Sequence, residues 1–363
     1  MQDSYYMNEA IKLALKGSIY THPNPKVGCI IVKNNQIIGK GYHRYFGGDH
    51  AEVNAVKYCL KKFKKDKGLK LLKGSTAYIT LEPCSISSKT PPCTETIIKY
   101  GIKKIFCASL DPNKSINGRG VKILRKNNVD VKVGLLKNEA KSINEEFFFR
   151  HTKGRPFVRM KIAQTLDGKI ALNSGESKWI TSKDSREDVQ YLRAESDAIL
   201  VGSGTVKKDN PRLNVRNIKI NKDKFRQPKK IILGNVNTKS NLSILKGDSE
   251  KIIFSNNPSS TKDSKIKYRK LSNSKTIESL LKELPEFEIN SLLVEGGSEV
   301  FSSFINKNMV DELIIYISPK ILGKNAISSL NIKSPKILKN ATNFKIIETV
   351  PMKEDIKIIM RRI

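Results

Sequence analysis

The chain is poor in acid, cysteine, tryptophan and long apolar runs, and each shortage excludes something. Only 35 Asp and Glu stand against 67 Lys and Arg, which leaves a formal charge of +32 on 363 residues. An excess of that size raises the question of a nucleic-acid partner. The lysines are nevertheless spread along almost every segment. Clusters such as "KKFKKDKGLKLLKG" (61–74) and "KINKDKFRQPKK" (219–230) read as loops or solvated helix faces, so no nucleic-acid partner is expected. No apolar run approaches the roughly 20 residues that span a bilayer, so no membrane association is expected either. Five cysteines, an odd number, argue for core residues or metal ligands in a reducing compartment and against a disulfide framework. The opening "MQDSYYMNEAIKLALKG" reads as an amphipathic helix without the basic and apolar regions of a signal peptide, and a cytoplasmic location is expected. No period of about 20 to 50 residues recurs, which excludes a solenoid.

What is present is a chain long enough for two cores. In the first, "VGCIIV" and "QIIGKGY" flank a turn at Asn34-Asn35, a hairpin signal. A helix from about His50 to Phe63, the strand "TAYITL", the loop "EPCSISSKTPP" and a helix over 93–100 follow. The strand "KKIFCASL", the helix "GRGVKILRKNN" and the strand "VDVKVGL" then complete an alternation that predicts a layered α/β domain. "RHTKGRP" (150–156) is the expected linker, dividing the chain into 1–149 and 150–363. Beyond it the pattern restarts with "FVRMKIAQ", a turn at Asp167-Gly168, the helix "SREDVQYLRAES" and the strand "DAILVG". The strands "KKIILG", "KIIFS" and "SLLVEGG", the helix "SEVFSSFIN" and the strand "DELIIYIS" make a second α/β unit.

The first half carries "HAE", His50 to Glu52, at a predicted helix start; "PC", Pro83-Cys84, thirty residues on; and a further cysteine at Cys93. One imidazole and two thiolates suffice for a zinc site with its fourth position open, and their softness favours zinc over magnesium or calcium. Two predicted helix starts, at His50 and at Cys93, would aim partial positive charge at that site. Glu52 is then placed to take a proton from the attacking water and pass one to departing ammonia. His-x-Glu followed by Pro-Cys and another Cys is the signature of zinc base deaminases, although their cysteines are commonly two residues apart and here eight intervene. A structural zinc is the alternative, and the neighbouring carboxylate argues against it. Cys29, Cys59 and Cys107 lie in apolar periodic segments and read as core.

In the second half Glu295-Gly296-Gly297 sit between a strand and a helix, where glycines let backbone N–H groups approach a phosphate. Gly202 to Thr205 offers something similar. Either is also readable as a plain tight turn. Arg193 and Arg216 are candidates for a phosphate clamp, although a helical arginine such as Arg193 is usually solvated. Trp179, the single tryptophan, either stacks on a ring or belongs to the core.

Together "NPKVGCIIV", "GKGYH", "HAE", "TLEPCS", "TPPC" and "DPN…NGRG", followed by "RPFVRMKIAQTLDGKIA", "SGESKWIT", "LRAESDAILVGSGTV", "DNPRLNVR" and "VEGG", resemble the bifunctional deaminase/reductases of riboflavin biosynthesis over nearly the whole chain. The eight-residue cysteine gap is that family's spacing. The resemblance implies a cytidine-deaminase-like αβα layer domain followed by a dihydrofolate-reductase-like domain, with zinc and NADPH as cofactors. It implies His50, Cys84 and Cys93 as metal ligands and Glu52 as proton shuttle. It likewise implies Ala163, Trp179, Thr205, Asp209, Gly296 and Gly297 at NADPH, and Ser177, Arg193, Leu213, Arg216 and Glu295 at the phosphorylated pyrimidine substrate. The implied reactions are hydrolytic deamination of a diaminopyrimidinone carrying a phosphoribosylamino group, then reduction of its ribose to a ribityl chain. A homo-oligomer is expected. One loop departs: where the family usually has His, Gly and Arg, this chain has Ile86, Ser88 and Lys89, which bears on substrate recognition there. The rival is a nucleic-acid base deaminase gripping its polymer with a basic second half, which leaves "TLDGKIA", "DNPRL" and "VEGG" without a purpose. A non-catalytic protein retaining the scaffold is a third reading, against which the intact Glu52 counts.

Overall fold

The structure, a computed structural model, describes residues 2–86, 91–257, 263–271 and 277–363. The chain forms two compact units, Met1–Lys153 with Asn221–Phe225, and Gly154–Ile220 with Arg226–Ile363.

The first unit runs α1 (Gln2–Leu15), β1 (Gly28–Lys33), β2 (Gln36–Tyr42), α2 (Ala51–Lys62), α3 (Lys65–Leu72), β3 (Thr76–Ile79), α4 (Cys93–Lys99), β4 (Lys104–Cys107), α5 (Arg119–Lys126), β5 (Asp130–Val133), α6 (Lys137–Ser142) and α7 (Glu145–Lys153). Its five-stranded sheet has the order β2-β1-β3-β4-β5. β1 is antiparallel to both neighbours, while β3, β4 and β5 are parallel. Alternation along β1 sends Cys29 and Ile31 to one face and Ile30 and Val32 to the other, and both faces are covered. Ala51, Ala55 and Cys59 of α2, Ile97 of α4 and Leu124 of α5 pack on the first; Met7 and Ala10 of α1 and Ala140 of α6 pack on the second. Double coverage is why "GCIIV" is apolar throughout instead of alternating. Cys29, Cys59 and Cys107 are core, as expected. Gly41 brings α2 onto the sheet: a Cβ there would lie 2.2 Å from the Ala51 carbonyl oxygen, so only glycine lets the first turn of α2 seat on β2.

The second unit runs β6 (Phe157–Thr165), β7 (Lys169–Ala171), α8 (Lys183–Ala194), β8 (Ala198–Gly202), α9 (Ser203–Asp209), β9 (Lys229–Leu233), β10 (Lys251–Ser255), β11 (Ile266–Lys270), α10 (Ile277–Glu283), β12 (Ser291–Val294), α11 (Ser298–Asn306), β13 (Glu312–Ser318), β14 (Ile327–Ser328), β15 (Phe344–Met352) and β16 (Asp355–Arg362). Nine strands form one sheet in the order β11-β10-β9-β8-β12-β6-β13-β16-β15, and β7 pairs with β14 separately. The strands from β11 to β13 are parallel, and the β15–β16 hairpin closes one edge antiparallel. α10 and α11 cover one face through Leu280, Leu281, Phe301 and Phe304; α8 and α9 cover the other through Val189, Leu192 and Val206. The carboxyl ends of β8 and β12 therefore open beside the helix starts at Ser203 and Ser298, the place where open α/β sheets bind ligands.

Four expectations need correction or completion. The linker predicted over 150–156 is largely helix: α7 continues to Lys153, with Arg150, His151 and Lys153 favourably placed in its last turn, and the chain turns at Gly154 with φ +67°. Helices α3 and α9 and the β15–β16 hairpin were not expected, because lysines obscure the apolar period and Pro351 argues against a strand, though an edge strand tolerates it. Within the cluster at 219–230, Lys230 is buried on β9 and donates to the carbonyls of Ile244 (2.9 Å) and Lys246 (3.2 Å), so it is no solvated charge. Ile86 of the departing loop is exposed, and Ser88 and Lys89 lie outside the described residues.

Candidate active sites

His50 stands immediately before α2, in extended conformation, and Cys93 is the first residue of α4. Cys84 reaches them from the loop after β3. His50 Nδ1 lies 3.1 Å from Cys93 Sγ and 3.4 Å from Cys84 Sγ. The Cys93 backbone N–H donates to Cys84 Sγ at 3.2 Å. The three donor atoms all fall within 4.8 Å of one another. One imidazole nitrogen and two sulfurs converging in this way fit zinc by number and softness.

The electrostatics suit a cation. The hydrogen bond from Cys93 pulls the Cys84 thiol far below its ordinary range; burial opposes this, and His50 and the Cys93 amide add to it. Cys93 rises in exchange, held by Cys84 and by its burial. Glu52 is buried in the first turn of α2, and burial pushes its carboxyl up while His50 pulls it down. A residue two positions from His50 thus does turn inward beside the same cluster, because the site lies over the helix end and not along its flank. Sequence reasoning passed over His43. Its ring packs edge-on to His50 at 5.5 Å between centroids, with Nε2 3.2 Å from Asn24 Nδ2 and Nδ1 3.1 Å from the Asp49 carbonyl oxygen. The available signal was its place in "GKGYH", directly after the strand on which α2 rests.

The second unit holds a cleft of about 880 Å³, and all eleven reductase-side residues singled out in the sequence line it. Ala163 comes from β6, Thr205 and Asp209 from α9, Gly296 and Gly297 from the β12–α11 turn, and Trp179 and Ser177 from the loop before α8. A Cβ on Gly296 would lie 2.6 Å from Val300 Cβ, so the turn admits only glycine, whereas Gly204 faces open space. That cradle of bare backbone at two helix starts fits the phosphates of a dinucleotide. Trp179 is 60% exposed, with the Arg186 guanidinium 4.3 Å from its ring centroid, and so is not core.

Arg193, a candidate for the phosphate clamp, lines the cleft and is not the solvated helical arginine of the alternative reading. Buried on α8, it grips Glu295 with two hydrogen bonds, Nε to Oε1 at 2.6 Å and Nη2 to Oε2 at 2.9 Å. Lys161 Nζ stands 3.9 Å from the same carboxylate. Burial pushes the Glu295 carboxyl up, yet Arg193, Lys161 and Arg216 outweigh it and hold it below its ordinary value. Lys161 was missed because a lysine inside "VRMKIAQ" looks like any other in a lysine-rich chain.

Fold and sites define a two-unit enzyme, a zinc-dependent deaminase followed by an NADPH-dependent reductase. Residues 1–109 match the family described as the cytidine and deoxycytidylate deaminase zinc-binding region, and residues 156–358 match the RibD C-terminal domain. The riboflavin biosynthesis protein RibD of Buchnera aphidicola subsp. Baizongia pistaciae is 42% identical, the alignment covering 100% of this chain and 99% of that one. Among solved structures, Acinetobacter baumannii RibD (form 1) superposes with a TM-score of 0.89 at 35% identity, covering 100% of this chain and 99% of that one. A diaminohydroxyphosphoribosylaminopyrimidine deaminase/5-amino-6-(5-phosphoribosylamino)uracil reductase from Thermotoga maritima gives 0.82 at 37% identity, with 100% and 99% covered. The chain belongs to the RibD family, the bifunctional deaminase/reductases of riboflavin biosynthesis.

Proposed function

We propose that the first unit hydrolytically deaminates 2,5-diamino-6-(5-phosphoribosylamino)pyrimidin-4-one and that the second reduces the ribosyl group of the product to give 5-amino-6-(5-phosphoribitylamino)uracil. The observation that carries this reading is the convergence of His50, Cys84 and Cys93 donors within 4.8 Å beside the buried Glu52. His50, Cys84 and Cys93 would hold zinc, which when bound would supply the Lewis acidity that activates a water for attack near neutral pH. Glu52, buried beside these ligands, would take a proton from the attacking water and return one to the departing amine. Its burial serves the second task, since a carboxyl with a raised pKa gives up its proton less readily to bulk water.

In the reductase unit Ala163, Trp179, Thr205, Asp209, Gly296 and Gly297 would hold NADPH, which when bound would supply hydride. Ser177, Arg193, Leu213, Arg216 and Glu295 hold the substrate. Because Glu295 engages one edge of the Arg193 guanidinium, through Nε and Nη2, Arg193 also fixes Glu295, and Arg216 is the freer arm to meet phosphate. Its Nη1 bonds only locally among the described contacts, to Asn214 Oδ1 at 3.1 Å. Arg216→Ala is therefore expected to raise KM for the deaminated intermediate about tenfold or more, the worth of a charge-assisted contact, with little change in melting temperature. An unchanged KM removes Arg216 from the phosphate site.

Deamination is assigned to 1–149 and reduction to 150–363. The family's biosynthetic role supports a cytoplasmic location, and no helix among the described residues is long and apolar enough to cross a membrane. A homo-oligomer is supported by the edge strand β15, where Ile346 and Ile347 are more than half exposed. Light scattering on the purified chain is expected to give a multiple of the 40.9 kDa protomer mass, and a monomer mass overturns this. The activity itself is tested by following NADPH absorbance with the diaminopyrimidinone phosphate as sole substrate. Oxidation that begins only when the deaminated intermediate is added instead refutes a working front half.

A further inference from the structure

We infer that Glu82 is a positioning residue for the Cys84 thiol, fastening the loop that carries it to the first turn of α5. This rests on the reading of Cys84 as a zinc ligand. Glu82 lies two residues before Cys84 and is 4% exposed, yet no charged side chain accounts for it in the hydrogen bonds of its carboxylate. Oε2 accepts from the backbone N–H of Asp111 at 3.1 Å and of Gly118 at 2.9 Å. Oε1 accepts from the N–H of Val121 at 3.2 Å, and the residue's own N–H donates to the Ser109 carbonyl at 2.9 Å. One side chain thereby gathers the loop 111–118 and the start of α5.

The contact is tight as well as polar. A Cβ on Gly120 would lie 2.2 Å from the Pro83 carbonyl oxygen and 3.2 Å from Glu82 Oε1, so α5 seats directly on the backbone that leads into Cys84. On its other side Cys84 is held by α4, whose Cys93 N–H meets its sulfur and whose Thr94 N–H meets its carbonyl at 3.3 Å. Cys84 is thus gripped between two helix starts, and Glu82 fastens one of them. Three converging N–H donors require a side chain that only accepts, on both oxygens. Gln turns an NH2 group onto at least one donor, and Asp is a methylene too short to reach all three. Partners of this outer kind typically change metal affinity by about 10- to 100-fold.

The test compares the full-length protein with Glu82→Gln, Glu82→Asp and Gly120→Ala, the last loosening the same clamp from the helix side. Zinc content after purification, the rate of zinc transfer to a chromogenic chelator, and the visible spectrum of the cobalt-substituted protein are read. Zinc transfer is expected to be on the order of tenfold faster in Glu82→Gln and in Gly120→Ala, and intermediate in Glu82→Asp. The cobalt bands are expected to shift, because ligand geometry changes, while NADPH oxidation with the deaminated intermediate stays at the wild-type rate. Variants that melt earlier but release zinc at the wild-type rate with an unaltered cobalt spectrum overturn the inference and leave Glu82 a folding residue. Should Glu82→Gln not fold, Gly120→Ala decides on the same readouts. A wild-type protein that retains neither zinc nor cobalt instead sinks the ligand reading itself.

Discussion

Glu52→Gln is expected to lower the rate of deamination by on the order of 10²- to 10⁴-fold, the range lost when a positioned proton carrier is removed. The amide has the same shape and fills the same buried site, but it cannot take a proton from water or return one to ammonia. None of His50, Cys84 or Cys93 is touched, so zinc content should stay at the wild-type level. In the coupled assay the variant should fail to oxidise NADPH with the diaminopyrimidinone substrate and should recover fully with the deaminated intermediate. That recovery separates a chemical defect from a folding one. Deamination within a few-fold of wild type, with zinc bound, would mean that another group moves the proton.

The second large effect is expected of Arg193→Met. The pair Arg193–Glu295 is among the best-buried ion pairs described, with side chains 11% and 7% exposed. Removing one partner leaves a buried carboxylate whose nearest remaining described cation is Lys161 Nζ at 3.9 Å, and such losses typically cost about 3–5 kcal/mol. The pH dependence has a definite sign. In the wild type the Glu295 carboxyl is held below its ordinary value of 4.5, so the folded state binds its proton less readily than the unfolded chain does. The stability this contributes is present above pH 4.5 and is lost as pH falls through the folded-state value. Without Arg193 burial is opposed only by the weaker neighbours, so the penalty of the variant should shrink on acidification. Urea midpoints at pH 7 and below pH 4.5 check this, together with KM for the intermediate, which should rise sharply as Glu295 loses its orientation. A cost under about 1 kcal/mol at pH 7 would show that the pair is not what holds α8 to the end of β12.

Much of this was readable in the chain because it is local. "HAE" at a helix start, "PC" after a strand and Cys93 opening the next helix each announce their own backbone setting, and the topology needs only to bring the carboxyl ends of β2 and β3 and the starts of α2 and α4 together. The glycine at 296 likewise marks a turn whose shape forbids a side chain, since a Cβ there would lie 2.6 Å from Val300 Cβ. What the sequence did not show has a different cause. The grip of Arg193 on Glu295 was not legible because the two lie 102 residues apart. Lys161 and Glu82 were not singled out and Lys230 was taken for part of a solvated cluster, since their meaning comes from carbonyls, amides and carboxylates on other elements. The boundary falls inside the expected linker, between Lys153 and Gly154, but the helical state of 150–153 was not read because basic residues that suggest an exposed segment also suit the last turn of a helix.

The sequence by itself therefore determined the two-unit α/β plan, the metal-binding residue types and the RibD family, all of which rest on residue identity at short spacing. Only the tertiary structure decided that Arg193 serves Glu295, that Lys161 flanks the same carboxylate and that Glu82 braces Cys84. Each depends on which distant groups a side chain meets once water has been excluded, and a one-dimensional pattern carries no record of that.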